Sequence, residues 1–203
     1  MKVIQLEPHF GTANTFAVTK DGKNCILIDC AREGILKELK LLGLTPKAVL
    51  LTHGHFDHVG GCGELHKAGV EIFCSVKEKN FIFSAQNRSI FGGVYIPDFT
   101  VNGSLQEGSF LIAGIDIKVL ETAGHTAGSL CFIIEDCLFT GDTLFCQSVG
   151  RCDLPTGDER ELQKSLEKLC ALDGDYKIYC GHGEETTLER ERKYNPYLNG
   201  SGL

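Results

Sequence analysis

The sequence lacks the patterns that mark membrane, secreted and nucleic-acid-binding proteins. No stretch approaches the roughly 18 uninterrupted apolar residues of a membrane-spanning helix, and residues 1–8 contain no apolar signal core. Lysine and arginine form no cluster, and the formal net charge is −7 at pH 7, which argues against an extended surface that follows phosphates. We therefore expect neither a membrane nor a nucleic-acid partner.

The Cys-x-x-Cys pair is also missing, although the chain contains 10 cysteines. Its absence weakens an assignment as a zinc ribbon or a thioredoxin-like redox protein. A chain of 203 residues is long for a disulfide scaffold, and without a secretion signal we predict free thiols in the cytoplasm. Most should be small core residues. For Cys146 and Cys152 the alternatives are packing, sensitivity to oxidation and binding of a metal as a soft ligand.

Length and periodicity predict one α/β domain over residues 1–203. Strand-like runs fill the first thirty residues, with a hairpin turn at Asp21-Gly22, and a helix follows with apolar residues at helical spacing. Two successive blocks of strands followed by a helix end near residues 69 and 172 and predict two similar halves. We expect mixed sheets with helices outside, whose strand-end loops lie along one edge.

Four metal-binding side chains follow one apolar run within a single short segment. The segment His53-Gly-His55-Phe-Asp57-His58 begins where a predicted strand over residues 47–52 gives way to a loop. Neighbouring side chains diverge in an extended or looping backbone, so these four cannot easily face one ion, whereas two ions can share them. The segment therefore predicts a site for two metal ions.

Three further predicted strands end at a histidine or an aspartate beside glycine. They lead to His125, Asp142 and His182, in the segments Gly-His-Thr-Ala-Gly, Thr-Gly-Asp and Gly-His-Gly. Functional sites commonly lie beyond the ends of strands, so four such ends could converge on one cleft. Glycine beside each ligand lets the backbone turn sharply near the ions.

Residues 84–104 break the periodicity of the flanking segments. Two interpretations remain open. The segment is a lid, in which case Arg88 and Tyr95 would contact substrate, or it is an irregular surface connection whose aromatic residues fix it to the core. Just before it, Ser75 and Glu78 have the spacing of a capping box at a helix start.

The motifs, in this order and spacing, resemble those of the metallo-β-lactamase superfamily over most of the chain. The resemblance implies an α/β fold, a four-layer αβ/βα sandwich of two mixed sheets with helices outside, and a binuclear site. It assigns His53, His55 and His125 to metal 1, Asp57, His58 and His182 to metal 2, and Asp142 to both ions as the bridging ligand. The two divalent ions are expected to be zinc, with iron or manganese as alternatives.

Details within this resemblance narrow the expected activity. Asp142 matches the bridging aspartate of the glyoxalase II, lactonase and RNA-processing branches, whereas lactam-cleaving branches usually carry cysteine or serine, so antibiotic hydrolysis is not expected. Residues 149–158 resemble the Gly-Arg-x-Asp segment of single-domain glyoxalase II-like hydrolases. Arg151 there would either contact a substrate carboxylate or pair with Asp153. Few residues follow His182, so we expect no C-terminal glutathione-binding helical domain.

The expected reaction is hydrolysis of an acyl thioester, such as S-lactoylglutathione, by a metal-bridging hydroxide without a protein nucleophile. Asp57 would orient the hydroxide. The alternatives are a persulfide dioxygenase with one iron held by His53, His125 and Asp142, a lactonase, and a non-enzymatic metal-binding module. A purely structural metal site would need neither so many ligands nor an open position. The partner would be a small-molecule thioester, and the protein a monomer or a homodimer.

Overall fold

The structure is a computed structural model that describes residues 1–90 and 95–198. The chain divides into two compact units. The first comprises Met1–Leu105 and Leu111–Asp116, and the second comprises Gln106–Phe110 and the chain from Ile117 onward. Because compactness alone does not decide whether either unit folds by itself, the single domain over residues 1–203 stays a prediction.

The first unit contains a six-stranded mixed sheet in which the strands lie side by side in sequence order. The first three strands pair antiparallel, and the third to the sixth pair parallel. The strands are β1 (Lys2–Gln5), β2 (Phe16–Thr19), β3 (Asn24–Ile28), β4 (Thr45–Leu50), β5 (Glu71–Ser75) and β6 (Gly103–Leu105). Asp21 forms the predicted hairpin turn between β2 and β3, because its Oδ1 accepts hydrogen bonds from the backbone N–H groups of Lys23 and Asn24.

Short helices connect the strands of this unit. They are α1 (Ile35–Leu41), α2 (Phe56–Val59), α3 (Cys62–Lys67), α4 (Val76–Phe81) and α5 (Ala85–Ser89). The helix predicted after residue 30 is α1, and the chain leaves it through Gly43, whose φ of 72° is in the left-handed region that glycine adopts without strain. Ser75 and Ser84 begin α4 and α5, since each hydroxyl accepts a backbone N–H from the third residue after it.

The core of the first unit combines the inner faces of the sheet and of its helices. Ile35 and Leu39 of α1 pack in one buried cluster with residues of the central strands. Phe99 and Val101 join the same cluster. This packing is what we expect if residues 84–104 are a surface connection fixed to the core by its aromatic residues. Residues 91–94 of that segment lie outside the described residues, so the lid interpretation stays a prediction there.

Eight more strands form a second six-stranded mixed sheet and a separate two-stranded hairpin. They are β7 (Gly108–Ile112), β8 (Ile115–Glu121), β9 (Leu130–Ile134), β10 (Cys137–Gly141), β11 (Leu144–Phe145), β12 (Ser148–Val149), β13 (Lys177–Cys180) and β14 (Thr186–Thr187). The sheet has the order β14-β13-β10-β9-β8-β7, in which β10 and β13 are parallel neighbours. Strand β11 pairs with β12 in the small hairpin, which follows β10.

Two helices belong to the second unit, α6 (Glu159–Cys170) and α7 (Leu188–Tyr194). Asp158 caps α6, and its carboxylate accepts the backbone N–H groups of Arg160 and Glu161. The buried stripe of α6, Leu162, Leu166 and Leu169, packs on residues of the second sheet. The predicted α/β class with two mixed sheets and flanking helices is thus confirmed. None of the helices within residues 1–90 and 95–198 is long and apolar enough to cross a membrane.

Candidate metal centre

The segment after β4 in the first unit, which runs through α2, gathers three buried imidazoles. His53, His55 and His58 are at most 4% exposed, and the ring centroid of His53 lies 4.8 Å from that of His55 and 4.0 Å from that of His58. Nε2 of His53 lies 3.1 Å from Nδ1 of His55. The segment that the sequence singled out therefore brings its nitrogen atoms close together within one unit.

Asp57, in α2, lies on the more open side of the same segment. Its Oδ2 is 4.0 Å from Nε2 of His58, and its side chain is 16% exposed. The backbone carbonyl of Asp57 accepts a hydrogen bond from the N–H of Ala13, which ties the loop before β2 to this point. Its carboxylate can thus bind an ion beside His58 and still reach solvent.

Asp29, at the end of β3, orients one of these histidines, and sequence reasoning missed it. Its Oδ2 lies 2.7 Å from Nδ1 of His58 and accepts the hydroxyl of Thr52, while its Oδ1 accepts the N–H of Thr52. A carboxylate that holds one ring nitrogen fixes the direction of the other, as in many metal-binding histidines. In the sequence, the signal for this role was an aspartate at the end of a predicted strand. That strand, β3, pairs in parallel with β4.

The second unit places a carboxylate between two histidines. Oδ2 of Asp142 lies 3.5 Å from Nε2 of His125 and 3.5 Å from Nε2 of His182. His125 and Asp142 are buried or nearly so, whereas the His182 side chain is 38% exposed. The structure thus brings together the three predicted ligands of this unit, with the aspartate in the middle.

The Gly-Arg-x-Asp segment supports His125 through its backbone. The carbonyl oxygen of Arg151 lies 2.6 Å from Nδ1 of His125. Gly150 packs so closely that a β-carbon there would lie 1.7 Å from the carbonyl oxygen of Asp142. Sequence reasoning considered the Arg151 side chain and missed these two backbone contacts, since no side-chain pattern reports them.

The guanidinium of Arg151 forms a two-pronged ion pair with Asp153. Its Nε and one terminal nitrogen are each 2.6 Å from a different carboxylate oxygen. The pair lowers the pKa of Asp153 to about 2, first through the hydrogen bonds from Arg151. The sequence left two roles open for Arg151, an ion pair with Asp153 and contact with a substrate carboxylate. The structure contains the ion pair, and the substrate contact stays a prediction.

Arg88 and Tyr95 are exposed residues of the first unit, and Tyr95 is 76% exposed. Among residues 1–90 and 95–198, no hydrogen bond or ion pair joins the side chain of either residue to the histidine loop of that unit. Their contact with substrate, which depended on the lid interpretation, stays a prediction.

The C-terminal helix of the second unit supports the hairpin that follows Asp142. Buried Glu191 accepts the backbone N–H of Gln147, and buried Asn195 donates to the carbonyl oxygen of Ser148 and to Glu191. Beside this hairpin a cleft of about 370 Å³ is lined by Phe145, Cys146, His182, Gly183 and Glu184. Glu191 and Asn195 had no ligand-like spacing in the sequence, so their role could only be found in the structure.

The donor set of each unit fits a divalent metal ion. Imidazole and carboxylate ligands suit zinc, iron and manganese. An oxygen holds Nδ1 of His58 and of His125, from Asp29 and from the Arg151 carbonyl respectively, which makes Nε2 the ring nitrogen suited to bind metal. Within the first unit, the ligand atoms of His53 lie within 4.8 Å of those of His55 and His58. These residues can therefore hold metal.

All ten cysteines are free thiols, and seven of them are buried. Burial raises the pKa of Cys74 and Cys180 to about 12. Burial also raises the pKa of Cys152, helped by the carboxylates of Glu159 and Asp153. This disfavours the thiolate that a soft ligand or a redox-sensitive cysteine requires.

Comparison with known proteins identifies a family model and close relatives. A model described as the metallo-beta-lactamase superfamily matches residues 10–182. Hydroxyacylglutathione hydrolase GloC of Haemophilus influenzae is 37% identical over 199 residues, which cover 92% of each chain. Two solved structures align over 98% of this chain and all of theirs. One, described as BLEG-1 B3 metallo-beta-lactamase, has a TM-score of 0.92 at 31% identity, and the other, TTHA1623 in a di-iron-bound form, has a TM-score of 0.84 at 33% identity.

Proposed function

The chain belongs to the metallo-beta-lactamase superfamily, and from this premise we propose that it is a glyoxalase II-type thioesterase, which hydrolyses an acyl thioester such as S-lactoylglutathione. The observation that carries the proposal is the 37% identity to a hydroxyacylglutathione hydrolase over 92% of the chain. The aspartate between His125 and His182 supports it, because the resemblance implies a bridging aspartate in that branch.

We propose that the seven ligands implied by the family resemblance hold two divalent ions. His53, His55 and His125 hold one ion, Asp57, His58 and His182 hold the other, and Asp142 binds both. The support is that the family model spans all seven positions, from residue 10 to residue 182. Zinc is the metal we propose, and the di-iron form of one structural relative supports iron as the alternative.

When bound, such ions lower the pKa of water from near 16 to about 7 and polarise a carbonyl group, which supplies a nucleophile and an electrophile at neutral pH. The residues of the chain position this chemistry. Asp29 and the Arg151 carbonyl fix the rings of His58 and His125. Asp57 would hold and orient the attacking water, and its partial exposure beside His58 supports this role.

We propose that part of the substrate binds in the cleft beside His182. Its volume of about 370 Å³ is within the usual range of small-molecule sites, about 300–1,000 Å³. The Phe145 ring and the Cys146 side chain offer apolar contact for the acyl or thiol portion, next to the half-exposed imidazole. The partner is accordingly a small molecule. Because the cysteines are free, we propose a reducing compartment, the cytoplasm, as the setting.

A second candidate function is β-lactam hydrolysis, because the chain aligns with BLEG-1, a protein described as a B3 metallo-beta-lactamase. Asp142 stands where the resemblance implies cysteine or serine in most lactam-cleaving branches. For that reason we propose the thioesterase first and keep β-lactam hydrolysis as the activity to compare.

The decisive experiment measures hydrolysis of S-D-lactoylglutathione by purified full-length protein of measured metal content. The test variant is Asp142→Ala, and Asp173→Ala, which changes an exposed aspartate of the same unit, is its matched control. We expect turnover that Asp142→Ala abolishes and Asp173→Ala retains. Protein with two bound ions that does not cleave this thioester would contradict the proposal, and cleavage of a chromogenic β-lactam by the same sample would establish the second candidate instead.

A further inference from the structure

Two buried polar side chains bind the peptide groups that flank the α-carbon of Gly54, the glycine between His53 and His55. The backbone N–H of Gly54 donates to Oε2 of Glu78 at 2.7 Å, and its carbonyl oxygen accepts Nδ2 of Asn87 at 2.7 Å. Both peptide groups that connect the two histidines are thereby held by side chains from α4 and α5. The residues come from 24 and 33 positions further along the chain.

Glu78 and Asn87 are deeply buried, with 1% and 0% of their surface exposed. Burying a carboxylate or a carboxamide costs free energy unless hydrogen bonds compensate for the lost water. Both hydrogens of the Asn87 carboxamide are used, since Nδ2 also donates to the carbonyl oxygen of Ile82. Helix α5 therefore presents its carboxamide to the histidine loop in one fixed orientation.

The contact between α4 and the loop leaves no free space at Gly54. A β-carbon there would lie 2.6 Å from Cγ1 of Ile82 and 2.7 Å from Oε2 of Glu78. The ring of Phe81 meets that of His55 edge to face at a centroid distance of 5.7 Å. The backbone of the loop is therefore enclosed by the same helix that hydrogen-bonds to it.

We propose that Glu78 and Asn87 are positioning residues of the metal centre, which fix the two peptide planes at Gly54 and so set the angle between the His53 and His55 side chains. The inference rests on the proposed metal-dependent function. Rotation of either peptide plane would swing the two imidazoles relative to each other. Ligand geometry must be held within about 0.5 Å and 10–20° for a productive site.

The test compares variants that change these hydrogen bonds at nearly constant size. Asn87→Asp places a carboxylate oxygen against the Gly54 carbonyl, and Asn87→Leu removes the donor without adding charge. Glu78→Gln keeps an acceptor oxygen and serves as the conservative rescue. Gln86→Glu makes the same amide-to-carboxylate change on the exposed side of α5 and is the matched control.

The readouts are the zinc affinity of the full-length protein, measured by competition with a chelator, and the visible absorption spectrum of the cobalt-substituted protein. Thermal unfolding of the metal-free protein reports folding separately. We expect Asn87→Asp and Asn87→Leu to weaken zinc binding by about 10- to 100-fold, the usual effect of losing a residue that orients metal ligands, and to change the cobalt spectrum. Gln86→Glu should retain wild-type affinity and spectrum, and Glu78→Gln, which keeps the acceptor oxygen, should lose less affinity than the Asn87 variants.

A purely structural role predicts a different result, namely a lower unfolding temperature with unchanged zinc affinity and cobalt spectrum. That result for both Asn87 variants would overturn the inference. Should Asn87→Asp not fold, Asn87→Leu decides alone, because it introduces no buried charge. If the wild-type protein binds neither zinc nor cobalt, the proposed function itself is refuted. If the wild-type protein and both Asn87 variants bind zinc equally well, only the positioning role of Glu78 and Asn87 is refuted.

Discussion

Replacing Gly150 by alanine would disturb Asp142 and His125 at once. The added β-carbon would lie 1.7 Å from the carbonyl oxygen of Asp142 and 3.2 Å from Nδ1 of His125. Carbon and oxygen atoms that are not bonded approach to about 3.3 Å, so one backbone must move by roughly 1.5 Å. Gly150 is not among the residues with positive φ. The effect therefore comes from the contact and not from backbone strain.

The size of this movement sets the expected loss of activity. A displacement of about 1 Å in a catalytic group costs on the order of 100-fold in rate. We expect kcat for the thioester to fall by at least about 100-fold in Gly150→Ala. Overpacking of this kind lowers the free energy of unfolding by about 1–3 kcal/mol, which leaves most proteins folded.

The assay measures kcat and the free energy of unfolding for Gly150→Ala and for the control Gly174→Ala. Gly174 has a φ of 82° and open space around it, so alanine there adds only left-handed strain, about 1–2 kcal/mol. The control should lose similar stability and keep its activity. Wild-type kcat in Gly150→Ala would refute the reasoning that this glycine is required for close approach to Asp142.

Three further predictions concern the zinc affinity, the pKa of Asp153 and the accessibility of the cysteines. Asp29→Asn should weaken zinc binding by about 10- to 100-fold, because an amide cannot replace all three hydrogen bonds of the carboxylate; unchanged affinity in a chelator competition would contradict this. Arg151 holds the pKa of Asp153 at about 2, so the ion pair should persist as pH falls until the carboxyl is protonated through that pKa. Arg151→Leu should return this pKa toward its ordinary value of 3.8, as measured by NMR titration. A thiol reagent at pH 8 should modify three half-buried cysteines of the native protein before the seven buried ones, and those three are Cys146, Cys152 and Cys170.

The residues that contact the ions in our proposal were visible in the sequence because ligand chemistry restricts residue types. His53, His55, Asp57 and His58 stand so close along the chain that the segment after β4 keeps them near one another. The sheets were predictable for a related reason, since apolar strands bounded by turns have a local signal. Asp21 in the first hairpin is one example, because its carboxylate binds the next residues of its own turn.

The residues that orient those ligands were not visible, because their roles depend on which segments become neighbours. Asp29 reaches Thr52 and His58 only because β3 and β4 pair in parallel with Ile28 opposite Leu50. Glu78 looked like half of a capping box. Ser75 does cap α4 in the structure, but Oε2 of Glu78 accepts the N–H of Gly54, a partner that sequence spacing could not indicate.

The glycines beside the ligands serve two physical purposes: some allow a sharp turn of the backbone, and others leave room for a close contact. The sequence predicted only the sharp turn. Gly183, after His182, has a φ of 77° with open space around it, so it allows the sharp turn that the sequence predicted. Gly54 and Gly150 are not in the left-handed region. They are needed because a β-carbon would collide with Glu78 in one case and with the Asp142 backbone in the other. Alanine at Gly183 should therefore strain a turn, whereas alanine at Gly54 or Gly150 should displace the ligands.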